Sequence, residues 1–130
     1  MQITISQKQA RVPVTVLRLN GDLTSEAQLQ SEAKKAYEAG VRYILLDLKE
    51  VPYMSSAGLR AIHGIFMMLR SDMPAESDQA MKAGISAGTF TSPHLKLLNP
   101  SKHVHEVLKT AGYDMFLEIH QDYKRALASF

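Results

Sequence analysis

The sequence predicts an α/β fold: a mostly parallel five-stranded sheet with an antiparallel first strand and about four helices. Three observations carry this. Tyr43–Leu48 contains a near-continuous apolar run, Ile44, Leu45, Leu46 and Leu48, as expected of a parallel strand covered on both faces. From there on, strand-like runs alternate with stretches of helical period, an order that implies right-handed crossovers. The first two runs instead alternate apolar with polar residues and lie only a few residues apart, which is the spacing of a hairpin.

In order along the chain, Ile3–Ser6 and Val12–Leu19 read as the hairpin strands, joined through Gln7–Arg11. Gly21-Asp22 turns the chain, and Ser25 with Gln28 makes a capping-box pattern before a helix. Leu29, Ala33, Ala36 and Tyr37 share one face of that helix, and Gly40 suits its C′ position. Strand Val41–Leu48 follows, then a loop with Pro52, then a helix over Ala57–Arg70. His94–Leu98 reads as a short strand, and Ser101 caps a helix with Val104, Val107, Leu108 and Ala111 inward, stopped by Gly112. Met115–Ile119 reads as a fifth strand; Tyr123, Ala126, Leu127 and Phe130 form the inner side of a last helix. Residues 71–92 break this rhythm. They are rich in Ser, Ala and Gly, hold Pro74, and are expected to form a mobile, poorly packed insertion in an otherwise single domain spanning 1–130.

Composition narrows the function. With 130 residues, 45% apolar and 22% charged, the chain can bury one core as an ordinary globular domain. A net charge of +2 without a larger cluster than Lys34-Lys35 or Lys124-Arg125 gives no nucleic-acid footprint. No apolar run reaches membrane-span length, and the first residues read as a strand rather than a signal peptide. The absence of Cys removes disulfides, thiol chemistry and the usual structural zinc sites, so a cytoplasmic protein without a cofactor is expected.

The residues with most to say follow the buried strand. Ser55 and Ser56 stand where a helix begins, and either hydroxyl can accept hydrogen bonds from first-turn amides. The same place favours negative charge, so it suits a phosphate. Along the helix, Leu59, Ala61, Ile62, Ile65, Phe66, Met68 and Leu69 fill one arc, and Arg60, His63, Gly64, Met67, Arg70 and Ser71 the other. Met67 inside the polar arc is either an isolated surface residue or part of a partner-facing surface. Asp22 and Asp47 suit loop-amide contacts better than paired acid–base work. His103 and His105, two apart on a helix, make a poor metal pair, and His63 lacks the oxyanion-hole elbow that a serine nucleophile needs. No glycine-rich nucleotide loop is present, and no catalytic set emerges.

The stretch from Asp47 to Leu59 also resembles a family pattern: an apolar strand ending in an acid, a loop, then Ser56, Ala57, Gly58 and Leu59 opening a helix. Gly21-Asp22-Leu23-Thr24 resembles a second motif of the same family, a Gly-Glu-Leu-Asp turn. Both belong to the STAS domain, the fold of bacterial anti-sigma factor antagonists, and the resemblance spans nearly the whole chain outside 71–92. It implies a non-enzymatic regulator that binds a serine-kinase anti-sigma factor and is phosphorylated on Ser56, with Ser55 as the fallback acceptor. It further implies that the acids shape the binding face, with Asp22 a partner contact and Asp47 structural; with the exposed arc of the helix, the expected partner surface comprises Asp22, Thr24, Ser55, Gly58, Arg60, His63 and Met67. Ser55 and Thr24 depart from the pattern, since the regulators often have Asp at both places. Other readings are a STAS subunit of a lipid-transport ATPase complex or signalling scaffold without a phosphoswitch, a small-ligand binder at the carboxyl edge of the sheet, and a serine hydrolase.

Overall fold

Alternation within one strand decides how the layers are arranged. In the computed structural model, which describes residues 1–71 and 91–130, this is the third strand, β3 (Ile44–Glu50). Ile44, Leu46 and Leu48 enter the larger core, while Leu45 enters a smaller one on the opposite face. Successive strand side chains point to opposite faces, so a run apolar at both parities demands cover on both sides. Helices α1 (Ala27–Glu38), α2 (Ser56–Leu69) and α3 (Lys102–Thr110) cover the larger core through Leu29, Ile62, Ile65, Val104 and Leu108. The short α4 (Tyr123–Ala128) closes the other face with Ala126.

The sheet has five strands in the order β1-β2-β3-β4-β5, as expected. β1 (Gln2–Gln9) pairs antiparallel with β2 (Pro13–Asn20); β3, β4 (Leu95–Leu98) and β5 (Glu118–His120) continue in parallel. The hairpin strands run longer than the sequence suggests, leaving only Ala10–Val12 as the turn, with Ala10 N donating to Val12 O at 3.1 Å.

Tertiary contacts moved several other expectations. β3 starts at Ile44 rather than Val41, because Val41 completes the stop of α1. Gly40, at φ +101°, lets Gly40 N reach Tyr37 O and Val41 N reach Ala36 O, both at 3.0 Å. The Ser25–Gln28 capping box does not form: Gln28 Nε2 is drawn to Met1 O at 3.0 Å, and Ser25 Oγ accepts only from Ala27 N at 3.4 Å. Of the expected fifth strand Met115–Ile119, Met115 instead ends a 3₁₀ turn (Tyr113–Met115) launched by Gly112 at φ +81°, and pairing begins at Glu118. Ala111, expected on the inner stripe, is the exposed C-cap of α3. The insertion expected at 71–92 lies outside the described residues except at its ends. There Ser92 is buried, donates its N–H to Phe116 O at 2.8 Å, and accepts from Leu95 N, so the packed framework resumes earlier than Pro93.

The smaller face is pinned by polar groups. Lys96, only 3% exposed, donates to Glu118 Oε2 at 2.6 Å and to Ser129 O at 2.8 Å, joining β4 and β5 to the end of α4. At the other end of α4, Asp122 Oδ1 accepts from Arg125 N at 2.9 Å. That bond holds the Asp122 carboxyl below its ordinary pKa.

Two measurements test this face. Glu118→Ala leaves a buried cation without its carboxylate and is expected to cost roughly 2 kcal/mol in urea unfolding, less than a fully buried pair because Glu118 is 38% exposed. Lys96→Met removes the charge itself and is expected to stay within about 1 kcal/mol of wild type. For Asp122 the folded pKa is depressed, so its contribution is present above the unfolded value and fades as pH falls through the folded one. The melting-temperature gap between wild type and Asp122→Ala is therefore expected to be full at neutral pH and to shrink as pH falls through and below the ordinary aspartate range.

Candidate functional site

Two connections meet where the carboxyl ends of β2 and β3 emerge. After β3, Val51 turns back to Leu48 O at 3.1 Å and Met54 is buried, while Pro52 and Tyr53 stay outside. Leu23, from the β2–α1 connection, lies parallel to Met54. Leu23 N donates to Tyr53 O at 2.9 Å, and Leu23 O accepts from Ser55 N at 3.0 Å. A third element joins them: Ser101 Oγ, which accepts from Val104 N at 3.3 Å to cap α3, also donates to Val51 O at 3.1 Å. The ring of His103 stacks on Tyr53, 5.4 Å between centroids.

Ser55, not Ser56, occupies the N-cap of α2, in extended conformation at φ −92° and ψ 177°. Its hydroxyl takes no cap bond and instead makes a long 3.5 Å contact to Leu23 O, which leaves it half-buried. Ser56 is the first helical residue, exposed, and its hydroxyl has no hydrogen-bond partner among the described residues. The first turn of α2 holds no acid, and its leading amides lack partners inside the helix, so this is the positive end of the helix dipole.

The exposed residues of α2 form one line. Ser56, Arg60, His63 and Met67 follow each other at successive turns, Met67 with 42% of its surface free. Asp22 and Thr24 are exposed on the neighbouring connection, clamped beside Ser55 by the Leu23 bonds. Arg60 is held: its Nε lies 2.6 Å from Glu26 Oε1, linking α2 to the start of α1. No sequence pattern announced this pair, whose members are 34 residues apart.

Three expected surface positions prove structural. Gly58 is buried, and a Cβ there would lie 2.7 Å from Leu23 O and 2.7 Å from Met54 Cγ. It permits the close approach of α2 to both connections rather than offering a side to a partner. Gly64 lies under Gln30 of α1, and Arg70 is buried at 6% exposure, so the polar arc of α2 is narrower than the projection suggested. Asp47 sits inside β3, not at its end. The strand runs on to Glu50 past a register shift, and Asp47 accepts from Lys49 N at 3.1 Å, with Arg18 Nε 4.0 Å away. A cleft of about 470 Å³ lies between α1 and α2, bordered by Gln30, Tyr37, Gly64 and Met68, and another of about 400 Å³ is bordered by Arg18, Asp47, Lys49 and Asn99 beside the ends of β3 and β4. Among the described residues, no group of three or more His, Cys, Asp and Glu could hold a metal ion. No described helix is long and apolar enough to cross a membrane.

The model of the STAS domain matches residues 6–72, which take in both connections and all of α2. The chain belongs to the STAS domain family. Solved structures share the fold. An anti-sigma factor antagonist from Mycobacterium paratuberculosis matches with a TM-score of 0.65 and 15% identity, over 98% of this chain and 93% of that one. SpoIIAA, a cell fate determinant of Bacillus, matches in its phosphorylated form with a TM-score of 0.62 and 19% identity, over 96% of each chain. The unphosphorylated form of SpoIIAA matches with a TM-score of 0.61 and 16% identity, over 96% of this chain and 93% of that one. No curated protein sequence matches the chain.

In this STAS domain the two helical glycines make a matched test. Gly58→Ala is expected to lose roughly 1–2 kcal/mol, because overpacking against Leu23 and Met54 outweighs the gain in helix propensity. Gly64→Ala meets only the movable end of Gln30 at 2.7 Å, so it is expected to be neutral or stabilising by up to about 1 kcal/mol. Chemical denaturation of both variants checks the pair.

Proposed function

We propose that this STAS domain is an anti-sigma factor antagonist. It docks through the line Ser56–Arg60–His63–Met67 and the rim at Asp22 and Thr24 onto a serine-kinase anti-sigma factor. Phosphorylation of Ser56 ends the complex. The observation that carries this is the exposed Ser56 hydroxyl, without a hydrogen-bond partner among the described residues, at the positive end of α2 and heading that line. The fold likeness to structures described as anti-sigma factor antagonists, one of them phosphorylated, supports the same reading. Ser56 is favoured over Ser55 because Ser55 is half-buried and its hydroxyl already leans on Leu23 O.

The chemistry belongs to the partner. The γ-phosphoryl group of ATP passes to Ser56 Oγ, the hydroxyl proton leaves to a base of the kinase, and ADP is released. The product adds about −1.5 to −2 charges at pH 7. First-turn amides and the helix dipole tolerate that charge, so the fold persists. Arg60, one turn further on, is shared with Glu26 at 2.6 Å, so a phosphate on Ser56 competes with Glu26 for it. Charge set against a desolvated partner surface costs several kcal/mol, and about 1.4 kcal/mol already changes affinity tenfold.

Intact mass and kinase affinity, measured for wild type, Ser56→Ala and Ser56→Asp with the host's serine kinase and ATP, test the proposal. One phosphate is expected on wild type and none on Ser56→Ala, which still binds. Ser56→Asp is expected to bind at least about tenfold more weakly. Because Ser56 makes no cap bond, Ser56→Ala is expected to stay within about 0.5 kcal/mol of wild-type stability. Phosphate on Ser56→Ala would move the acceptor elsewhere. Capture of an ATPase subunit, with no phosphate on wild type, would favour a STAS subunit of another assembly.

A further inference from the structure

The two edges of the sheet differ. β5 is three residues long, so it presents little unpaired backbone. β1 is eight residues long, and its pairing with β2 runs without a shift from Gln2↔Asn20 to Gln9↔Pro13. It contains no proline and one charge, Lys8, and its Ile5 is 47% exposed. Long, regular, nearly uncharged edges are what folded proteins usually blunt, since unpaired N–H and C=O groups template further pairing.

The hydrogen-bond parity shows which groups are open. Thr15 N donates away from β1, to Tyr43 O at 3.0 Å, and Ala10 N donates to Val12 O at 3.1 Å. Antiparallel partners alternate between bonded and non-bonded pairs, so the even residues of β1 bond β2. Pro13, which has no N–H, accordingly falls opposite Gln9 in a non-bonded pair. Ile3, Ile5, Gln7 and Gln9 therefore aim their N–H and C=O outward.

We propose that this edge is an interface for a second copy of the chain, β1 pairing antiparallel with β1 of its partner across a two-fold axis at Ile5. This goes beyond the docking surface at Ser56. In that register Ile5 faces Ile5 of the second copy in a bonded pair, Ile3 faces Gln7, and Thr4 faces Ser6. Apolar thus meets apolar at the axis, and hydroxyl meets hydroxyl beside it. Lys8 falls opposite Gln2, so no like charges oppose each other. A single self-complementary segment is what a two-fold interface requires, which favours a copy of this chain over an unrelated strand. The antiparallel arrangement sends the two Ser56 sites to opposite ends of a ten-stranded sheet (twice the five strands of one copy), leaving both open to partners. Edge pairing alone makes a small interface, so the association is concentration-dependent.

The chain has no native Cys, so one introduced thiol can form a disulfide only with another copy. Across a bonded antiparallel pair the Cα atoms lie about 5.5 Å apart, inside the range a disulfide spans. Ile5→Cys is expected to cross-link to a dimer under mild oxidation at least about tenfold faster than Gln9→Cys. The Gln9 Cα atoms in this register are separated by roughly 27 Å. Sedimentation of wild type is expected to show mass rising towards a dimer with concentration. Ile5→Lys, which sets two cations against each other at the axis, is expected to stay monomeric with an unchanged circular dichroism spectrum. Wild type that remains monomeric up to about 1 mM, a dimer unaffected by Ile5→Lys, or equal cross-linking of the two Cys variants would overturn the proposal. The first of these outcomes would leave the edge to a strand from another protein.

Discussion

Leu23 is bonded on both sides of its peptide to the chain that leads into α2, and the placement of the candidate site follows from that. Its N–H goes to Tyr53 O, its carbonyl takes Ser55 N, and its side chain is fully buried against Gly58 and Met54. Each backbone bond contributes about 1 kcal/mol net, and burying a leucine roughly 1.5–3 kcal/mol. Leaving either backbone group unpaired in this packed corner would cost more than the bond itself stabilises. The clamp therefore sets Asp22 and Thr24, from the β2–α1 connection, beside Ser55 and Ser56 at the entry to α2. Gly58 is the condition for the clamp, since any side chain there displaces α2 from Leu23.

What was legible in the sequence was local or periodic. The two-sided apolar run of β3, the cap at Ser101, the glycine stop at Gly40 and the inner arc of α2 each depend on residues within a turn or two of each other. What was not legible depended on distant chain. Gln28 was free, in sequence terms, to complete a capping box, but Met1 O lies 27 residues away in sequence and within reach in space. Arg70 belonged to the polar arc until the surrounding packing buried it. Gly58 read as a family marker on the binding face, whereas its lack of a side chain matters inward. A helical glycine in a first turn, where it costs propensity, was the one available hint that something approaches closely.

The two faces of the sheet are secured by different physics. The larger core is apolar and continuous from β2 across to β4 beneath three helices. The smaller one is a patch of five buried residues whose cover, α4, is only six residues long and is tied down by Lys96, Glu118 and Asp122. A helix that short has little stability of its own in water. Its place is therefore set by charge-assisted bonds at its two ends.

Ser56 belongs to neither core. Its side chain is exposed, makes no bond among the described residues and is not the helix cap, so a change in its charge bears on the exposed Arg60–Glu26 pair and on no buried interaction. In the proposed reading, a phosphate there would meet the first-turn amides and compete with Glu26 for Arg60, neither of which requires displacing a buried group. The free energy of modification is then available to binding rather than divided with unfolding. By linkage, whatever factor the phosphate takes from partner affinity, the partner takes from the equilibrium for the phosphorylated form. A hydroxyl that the fold does not use, at the first turn of α2 and beside the Leu23 clamp, would pass that coupling to the partner without calling on any buried contact.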